Sequence, residues 1–494
     1  MKTQLKKSLP VLLVCETVLA VVLLVGLQCG CTVGPDYHRP VVSANPAWNS
    51  PLQGGETNSE PVDAAWWKSF HDAELDALIR RAAQSNLTLH IAEARVREAR
   101  AQRGVVAAAE GPTIGPEGSY TRNRFSDNGF PPLPATTPLD YDLYRAGFDA
   151  SWEIDLFGGT RRAVEAANAG IAAAEFNRDD VLRSLFSEVA RDYINLQAFQ
   201  RRLVIAQKNI EAQREIVQRT LDRQRAGLTT ELDVQQATAL LKSTEAQVPT
   251  LETGFKDSAY QLDVLLGQTP GRMLGELTNS AGIPSAPPEV PVGLPSDLLL
   301  RRPDVRRAES QLAAATANIG VAKAGLFPRF SLIGVVGLQS ISASDWWTSG
   351  SRFWSAGPTM TWPVFQSGRI RANIHVQNAR QEQALASYDQ AVLLAFADVE
   401  RSLTAYAKEQ IRRQSLTESV QANAKALALA NDLYGHGLTD FLRVLASERG
   451  MYQSQDALVQ SDQMVAVNLV ALYKALGGGW KSIETNTDHS VVSK

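Results

Sequence analysis

Only three residues of this 494-residue chain carry a thiol: Cys15, Cys29 and Cys31. Everything after Cys31 lacks cysteine, so the body can hold neither a disulfide framework nor a cysteine-based metal site. The six histidines (38, 71, 90, 375, 436 and 489) show no i,i+4 pair or other ligand spacing. Asp149 and Glu153 could suggest an acid–base pair. In a strand, however, their even spacing puts both on one face, which suits a wetted wall better. Arg301-Arg302-Pro303-Asp304 could suggest a phosphate patch. A structural role fits better, with Pro303 as the first residue of a helix and Asp304 at its positive end. Gly477-Gly478-Gly479 is followed by no Lys-Ser/Thr and is no phosphate loop. The expectation is no catalytic residue, no metal and no cofactor other than a covalent lipid.

That lipid belongs on Cys31. Lys2, Lys6 and Lys7 precede an apolar run, Val11 to Leu27, broken by Glu16 and ending at Gly30-Cys31. This is the layout of an export signal, residues 1–30, cleaved before a cysteine whose thiol is acylated. Gln28 stands where such signals usually carry leucine. The alternative is an uncleaved N-terminal membrane anchor.

Composition narrows the class. With 44% hydrophobic and 20% charged residues, the chain is neither disordered nor a bundle of membrane helices. A net charge of −3 gives no electrostatic case for nucleic acid.

The chain is also written twice. Gly227-Leu228-Thr229 returns as Gly437-Leu438-Thr439, and Trp152 as Trp362, both 210 positions on. Upstream the offset is 216, with Gly104 matching Gly320 and Pro112 matching Pro328. Repeats of this length are duplicated half-proteins rather than short solenoid units. Each half contains a stretch nearly free of glycine and proline, about 160–226 and 369–434, which predicts helices of about 100 Å at 1.5 Å per residue. Leu182, Val189, Leu196, Leu203, Ile210 and Val217 recur every seven residues, as in a coiled coil. A return helix follows each turn, 231–266 and 440–476. The turns at 227–230 and 435–439 are therefore tips of helical hairpins. Gly227 and Gly437 end one helix in a left-handed cap, and Thr230 and Asp440 start the next. Asp233 and Arg443 then both fall at the third helical position, where an acid complements the helix dipole and a base opposes it.

Four strands are expected, two per half, at about 112–123, 143–155, 328–340 and 353–365. Apolar residues fall on even positions from Tyr144 to Ile154 and from Trp354 to Val364. Strands of this length with one apolar and one polar face fit a membrane barrel with a wet lumen, and Tyr144, Trp152, Trp354 and Trp362 suit its interface girdles. A soluble half-buried sheet is the alternative. Four strands cannot close a barrel in hydrocarbon, where each open edge leaves backbone groups unpaired. Several copies must contribute: two give eight strands around a lumen filled by side chains, three give twelve around a channel, and closed ring symmetry allows either. The charged long helices must lie in water.

The segments CTVGPDYHRP, WWKSFHDAELDALIRRAAQSNLTL and LLLRRPDVRRAESQLAAATANIGVAKAGLFP, with the two GLT tips, resemble outer-membrane efflux proteins of the TolC-like superfamily. The lipoprotein branch, OprM- or NodT-like, is the best match, over about residues 31–480. The resemblance implies an α+β membrane channel: a homotrimer with a 12-stranded outer-membrane β-barrel, four strands per chain, continued by a long periplasmic α-helical barrel with a mixed α/β equatorial belt. The first repeat spans 31–270, an equatorial linker 271–300 and the second repeat 301–480, with 481–494 a disordered tail. The implied partners are a periplasmic adaptor, an inner-membrane RND-type pump and outer-membrane lipid. The implied function is a passive exit duct for drugs or small toxic solutes. An exit duct for type I secretion shares the fold, and a purely structural coiled-coil envelope lipoprotein is the reading from another class. Related channels commonly carry Asp at the position of Arg443 and narrow the pore with an acidic ring. Arg443 puts that ring in doubt. It is expected to pair with Asp233 or Asp440 of a neighbouring tip, near Tyr434, and help hold the mouth shut. The alternative is an Arg443 that points to solvent.

Overall fold

A computed structural model describes residues 32–42, 45, 47–50, 56–57, 65–126, 128, 134, 138–276, 282–287, 290–293, 295 and 301–479. The expected signal peptide, Cys31, parts of the 271–300 linker and the 481–494 tail lie outside the described residues. The chain forms two compact units. One is built from Arg97–Ala173, Ala308–Tyr388 and the N-terminal segment to Pro40, and the other from Val41–Val96, Ala174–Arg307 and the residues from Asp389 on.

The first unit holds a four-stranded antiparallel sheet, in the order β2 (Thr113–Arg124), β3 (Asp140–Ile154), β5 (Arg329–Ser340), β6 (Arg352–Thr361). The two halves meet where β3 pairs with β5, Gly147 opposite Gly337. Glycine is required at both positions. A Cβ on Gly337 would stand 2.3 Å from the Ala146 carbonyl oxygen, and one on Gly147 would stand 2.4 Å from that of Val336. The last strand stops at Thr361, short of the expected residue 365. Pro363 has no N–H for a ladder, which ends pairing there.

The second unit is mainly helical. Its core joins the 3-10 turn Trp66–Phe70 and α1 (Ala73–Ser85) to parts of α3 (Gly159–Arg225), α7 (Arg369–Gly435) and α8 (Phe441–Ala475). Trp66 stacks on Tyr473 at 5.3 Å between ring centroids. The seven-residue pattern of α3 is the buried seam: Val189, Leu196 and Ile210 are buried, and Leu182, Leu203 and Val217 pack partly buried beside the core clusters. A small parallel pair, β1 (Glu56–Thr57) with β4 (Val290–Pro291), belongs to this unit. The remaining helices are α2 (Leu87–Ala107) and α6 (Pro303–Ala324), with a single turn at Met273–Glu276.

The duplication is exact at element ends. Moved by 210 residues, α3 becomes α7, and moved by 216, α2 begins at the start of α6 and β2 becomes β5. Two elements depart from the rule. Moved by 210, β3 would span 350–364, but β6 covers only Arg352–Thr361. The return helix of the first half is not continuous over 231–266 but splits into α4 (Glu231–Glu245) and α5 (Val248–Leu265), whereas α8 is unbroken. Pro249 explains it. Its ring would clash with the carbonyl four residues back, on Glu245, and α4 stops at that residue. The second half has Val459 there. Among the described residues, no helix is long and apolar enough to cross a membrane.

Arg302 does more than the expected helix start requires. Pro303 and Asp304 do open α6. The Arg302 guanidinium is buried and makes a bidentate pair with Asp304 (3.0 and 2.6 Å), then reaches Asp398 on α7 (3.1 Å) and donates to the carbonyls of Ala395 (3.4 Å) and Ala475 (3.2 Å). Arg183 of α3 adds a contact to Asp304 at 3.5 Å. One side chain thus ties α6, α7 and the end of α8. Burial opposes ionisation of Asp304, but hydrogen bonds from Arg302 and the charges of Arg183 and Arg302 outweigh it, lowering its pKa to about 2.

Candidate functional site

Both tips close in the same way. Gly227 (φ 75°) and Gly437 (φ 74°) take the left-handed conformation. Leu228 N–H donates to the Arg223 carbonyl and Leu438 N–H to that of Leu433, both at 2.9 Å, while the glycine N–H groups satisfy Gln224 and Tyr434. This pairing quenches the orphan carbonyls at a helix end. The next helices begin differently. Thr230 accepts from the Asp233 N–H, and the Asp233 carboxylate accepts in return from the Thr230 N–H (3.1 Å) and hydroxyl (2.9 Å) and from the Thr229 hydroxyl (2.5 Å). These bonds, that of Thr229 foremost, lower the pKa of Asp233 against the opposing effect of burial. Asp440 accepts from the Arg443 N–H at 3.0 Å, but arginine has no acceptor to return the bond. The second tip therefore has half a capping box, and the Arg443 guanidinium is exposed with no ion-pair partner among the described residues of its own chain.

Tyr434 has neighbours that sequence reading missed. Its ring lies 5.6 Å from Phe441 and beneath the Arg223 guanidinium at 4.9 Å. Arg223 lies in the last turn of the first long helix and Tyr434 in that of the second, so this contact couples the two tips of one chain. A buried cluster of Ala237, Ala430, Phe441, Val444 and Leu445 supports it. Beyond it four leucines, Leu228, Leu232, Leu438 and Leu442, stand more than half exposed at the tips.

The sheet has two chemically distinct faces. Its register puts Ile114, Phe148, Trp152, Leu332, Val336, Trp354 and Met360 on one face, and Glu117, Arg145, Asp149, Glu153, Ser355 and Thr359 on the other. The Trp152 indole donates to the Glu110 carbonyl (2.9 Å) and the Trp362 indole to that of Leu326 (3.1 Å). The repeat thus places the same bond at the same end of the sheet twice. Tyr144 sits toward the other end against Tyr120 and Trp346, at 5.0 and 6.2 Å. Trp354 is level with Val336 and Phe148, inside the sheet rather than with either group. On the polar face, Arg145 lies 3.7 Å from Glu117 and over the Phe353 ring.

The residues after Cys31 form a strap on the first unit. Val33 N–H donates to the Phe157 carbonyl at 3.1 Å. Gly34, at φ 108°, lies so close to Gly320 that a Cβ would stand 2.5 Å from its Cα. The buried Arg162 binds Asp36 (2.5 Å), Glu165 (2.8 Å) and the Val33 carbonyl (3.3 Å). Tyr37 and Arg39 both reach Glu309, at 3.3 and 3.0 Å. Burial and the Glu309 charge push the Tyr37 phenol up to about 12. Thr32 packs against Gly158, in the turn between β3 and α3.

The outer membrane efflux protein family model matches residues 78–268 and 294–478. The chain belongs to this family. It is 34% identical over 456 residues to the pyoverdine export outer membrane protein OpmQ of Pseudomonas aeruginosa, covering 92% of this chain and 94% of OpmQ. It is 31% identical over 463 residues to the cation efflux system protein CusC of Escherichia coli, covering 92% and 96%. Among solved structures it resembles the outer-membrane channel OprN, with a TM-score of 0.85, 37% identity, and coverage of 91% of this chain and all of OprN. As a member of the outer membrane efflux protein family it is a trimeric outer-membrane channel with a helical, mixed α/β fold, and it serves as the exit duct of a tripartite efflux system. The sheet is then one third of a 12-stranded barrel. Its apolar face meets lipid and its charged face lines the lumen. The family's members are transporters. Among the described residues no group of three or more His, Cys, Asp or Glu could hold a metal ion.

Proposed function

We propose that this duct is anchored by a lipid on Cys31, receives small toxic solutes from an RND-type pump through a periplasmic adaptor seated on its tips, and carries out no catalysis. The observation that carries this reading is the pair of unequal tips, each with exposed leucines beside a capping carboxylate, Asp233 in one and Asp440 in the other. Relatives at 31–34% identity named for pyoverdine export, solvent efflux and cation efflux support a small-solute cargo. A passive duct takes that cargo from its pump. In the trimer six tips surround the mouth, and Arg443 pairs with Asp440 or Asp233 of a neighbouring tip. One exposed pair contributes at most ~1 kcal/mol, so closure needs several around the ring. In planar bilayers Arg443→Ala should raise single-channel conductance, most at low salt where screening is weak. Adaptor should open the wild type and add little to the variant. Equal conductance for wild type, Arg443→Ala and Asp233→Ala, and no response to adaptor, would remove the tips from gating.

The anchor is tested separately. Cys31→Ser should lose all palmitate label and leave the signal uncleaved at this site, while the trimer persists because barrel closure does not need the lipid. Label retained on the variant, on Cys29 for instance, would contradict the assignment.

A further inference from the structure

We propose that a small cavity beside Arg302 is a binding site for an oxyanion, a phosphate or carboxylate group. The cavity measures about 280 Å³ and is lined by Arg183, Arg302, Arg401, Lys474 and Ser402, with Asp398 as its single carboxylate. It lies at the lower limit of about 300 Å³ for pockets that take drug-sized molecules.

The charges do not balance inside it. Arg302 is matched by Asp304 and shares Asp398. Arg183 is almost fully buried; its terminal nitrogens bind Asp180 (2.6 Å) and the Lys474 carbonyl (3.1 Å), but its Nε–H has no acceptor among the described residues. Arg401 comes only within 3.9 Å of Asp398. The Lys474 ammonium forms no hydrogen bond or ion pair among the described residues. The carboxylates that act on it are Glu188 and Asp180, and the cations are Arg183 and Arg191. Asp180 is already held by Arg183 and Arg307. Burial foremost, and then the Arg183 charge, hold the Lys474 ammonium below its ordinary pKa, the state expected of a cation without a counter-ion. An oxyanion in the cavity would accept from Lys474, Arg401 and the Ser402 hydroxyl, with the short charge-assisted bonds that such groups form. Asp398, already engaged by Arg302, leaves the site net positive.

The test uses the full-length trimer in detergent at neutral pH and constant ionic strength, with chloride as reference. Thermal midpoints are followed while inorganic phosphate or acetate replaces chloride, for wild type, Lys474→Met and Arg401→Gln. A saturable rise with either anion is expected for the wild type, and which of the two gives it identifies the group. Each variant should need about tenfold more anion, the loss of one charged hydrogen bond. No anion-specific rise in wild type, or the same rise in all three proteins, overturns the proposal. So does loss of the trimer in both variants, which would assign the cavity to a carboxylate of the neighbouring subunit.

Discussion

Replacing Arg302 with alanine should cost about 3–5 kcal/mol, the usual penalty for removing one partner of a buried ion pair. The loss has three parts. Asp304 keeps its burial but loses its bidentate partner. The carbonyls of Ala395 and Ala475 lose a donor. A void opens beneath Gly477, whose position lies against the Arg302 stem. Heat resistance of the trimer and its yield in the outer membrane should both fall sharply. Arg302→Lys should recover only part, because an ammonium cannot reproduce the bidentate geometry. The pH dependence has a definite sign. Asp304 has a depressed pKa, so its stabilisation is complete above the unfolded value near 4 and is lost as pH falls through about 2. In Arg302→Ala the carboxyl pKa rises, and acid sensitivity should move to higher pH. A variant with wild-type heat resistance and an unchanged acid transition would show that the hub is not a structural tie.

Gly337→Val should block barrel assembly. The atoms a Cβ would meet are backbone, the Ala146 carbonyl oxygen at 2.3 Å and the Gly147 Cα at 2.8 Å, so no rotamer relieves the clash. The only escape is to part β3 from β5, the pairing that joins the two halves. Within hydrocarbon, parted strands leave backbone groups unpaired at several kcal/mol each. The same substitution at Gly357, on the same face of the sheet with nothing within 4 Å, provides the control. Gly337→Val should leave no trimer in outer-membrane fractions, whereas Gly357→Val should insert normally. Equal insertion of both would mean that the close approach is not a constraint.

Helix ends were legible in the sequence because they depend on local chemistry. Gly227, Thr230, Gly437 and Asp440 stop and start helices through groups a few residues away, and all four act as their residue types suggest. The faces of the sheet followed from alternation for a similar reason. The split between α4 and α5 was also local, yet it was hidden because Pro249 sits in a stretch whose repeat partner runs on as helix. What could not be read depends on partners distant in sequence. Arg302 suggested only a helix start, since Asp398 and Ala475 lie far along the chain. Arg223 over the Tyr434 ring joins the ends of two long helices, and no spacing rule connects them. Gly34 against Gly320 is of the same kind: small residues reveal a close approach only once the backbones are placed.

The central claim is that four strands per chain are completed by other copies of the same chain into one twelve-stranded barrel. Native mass measurement of the detergent-solubilised, full-length protein tests it most directly. Three copies in a single species, with no folded monomer alongside, is the expected result. A monodisperse monomer retaining its full β signal would contradict the claim, because its two edge strands would then be stable without a partner.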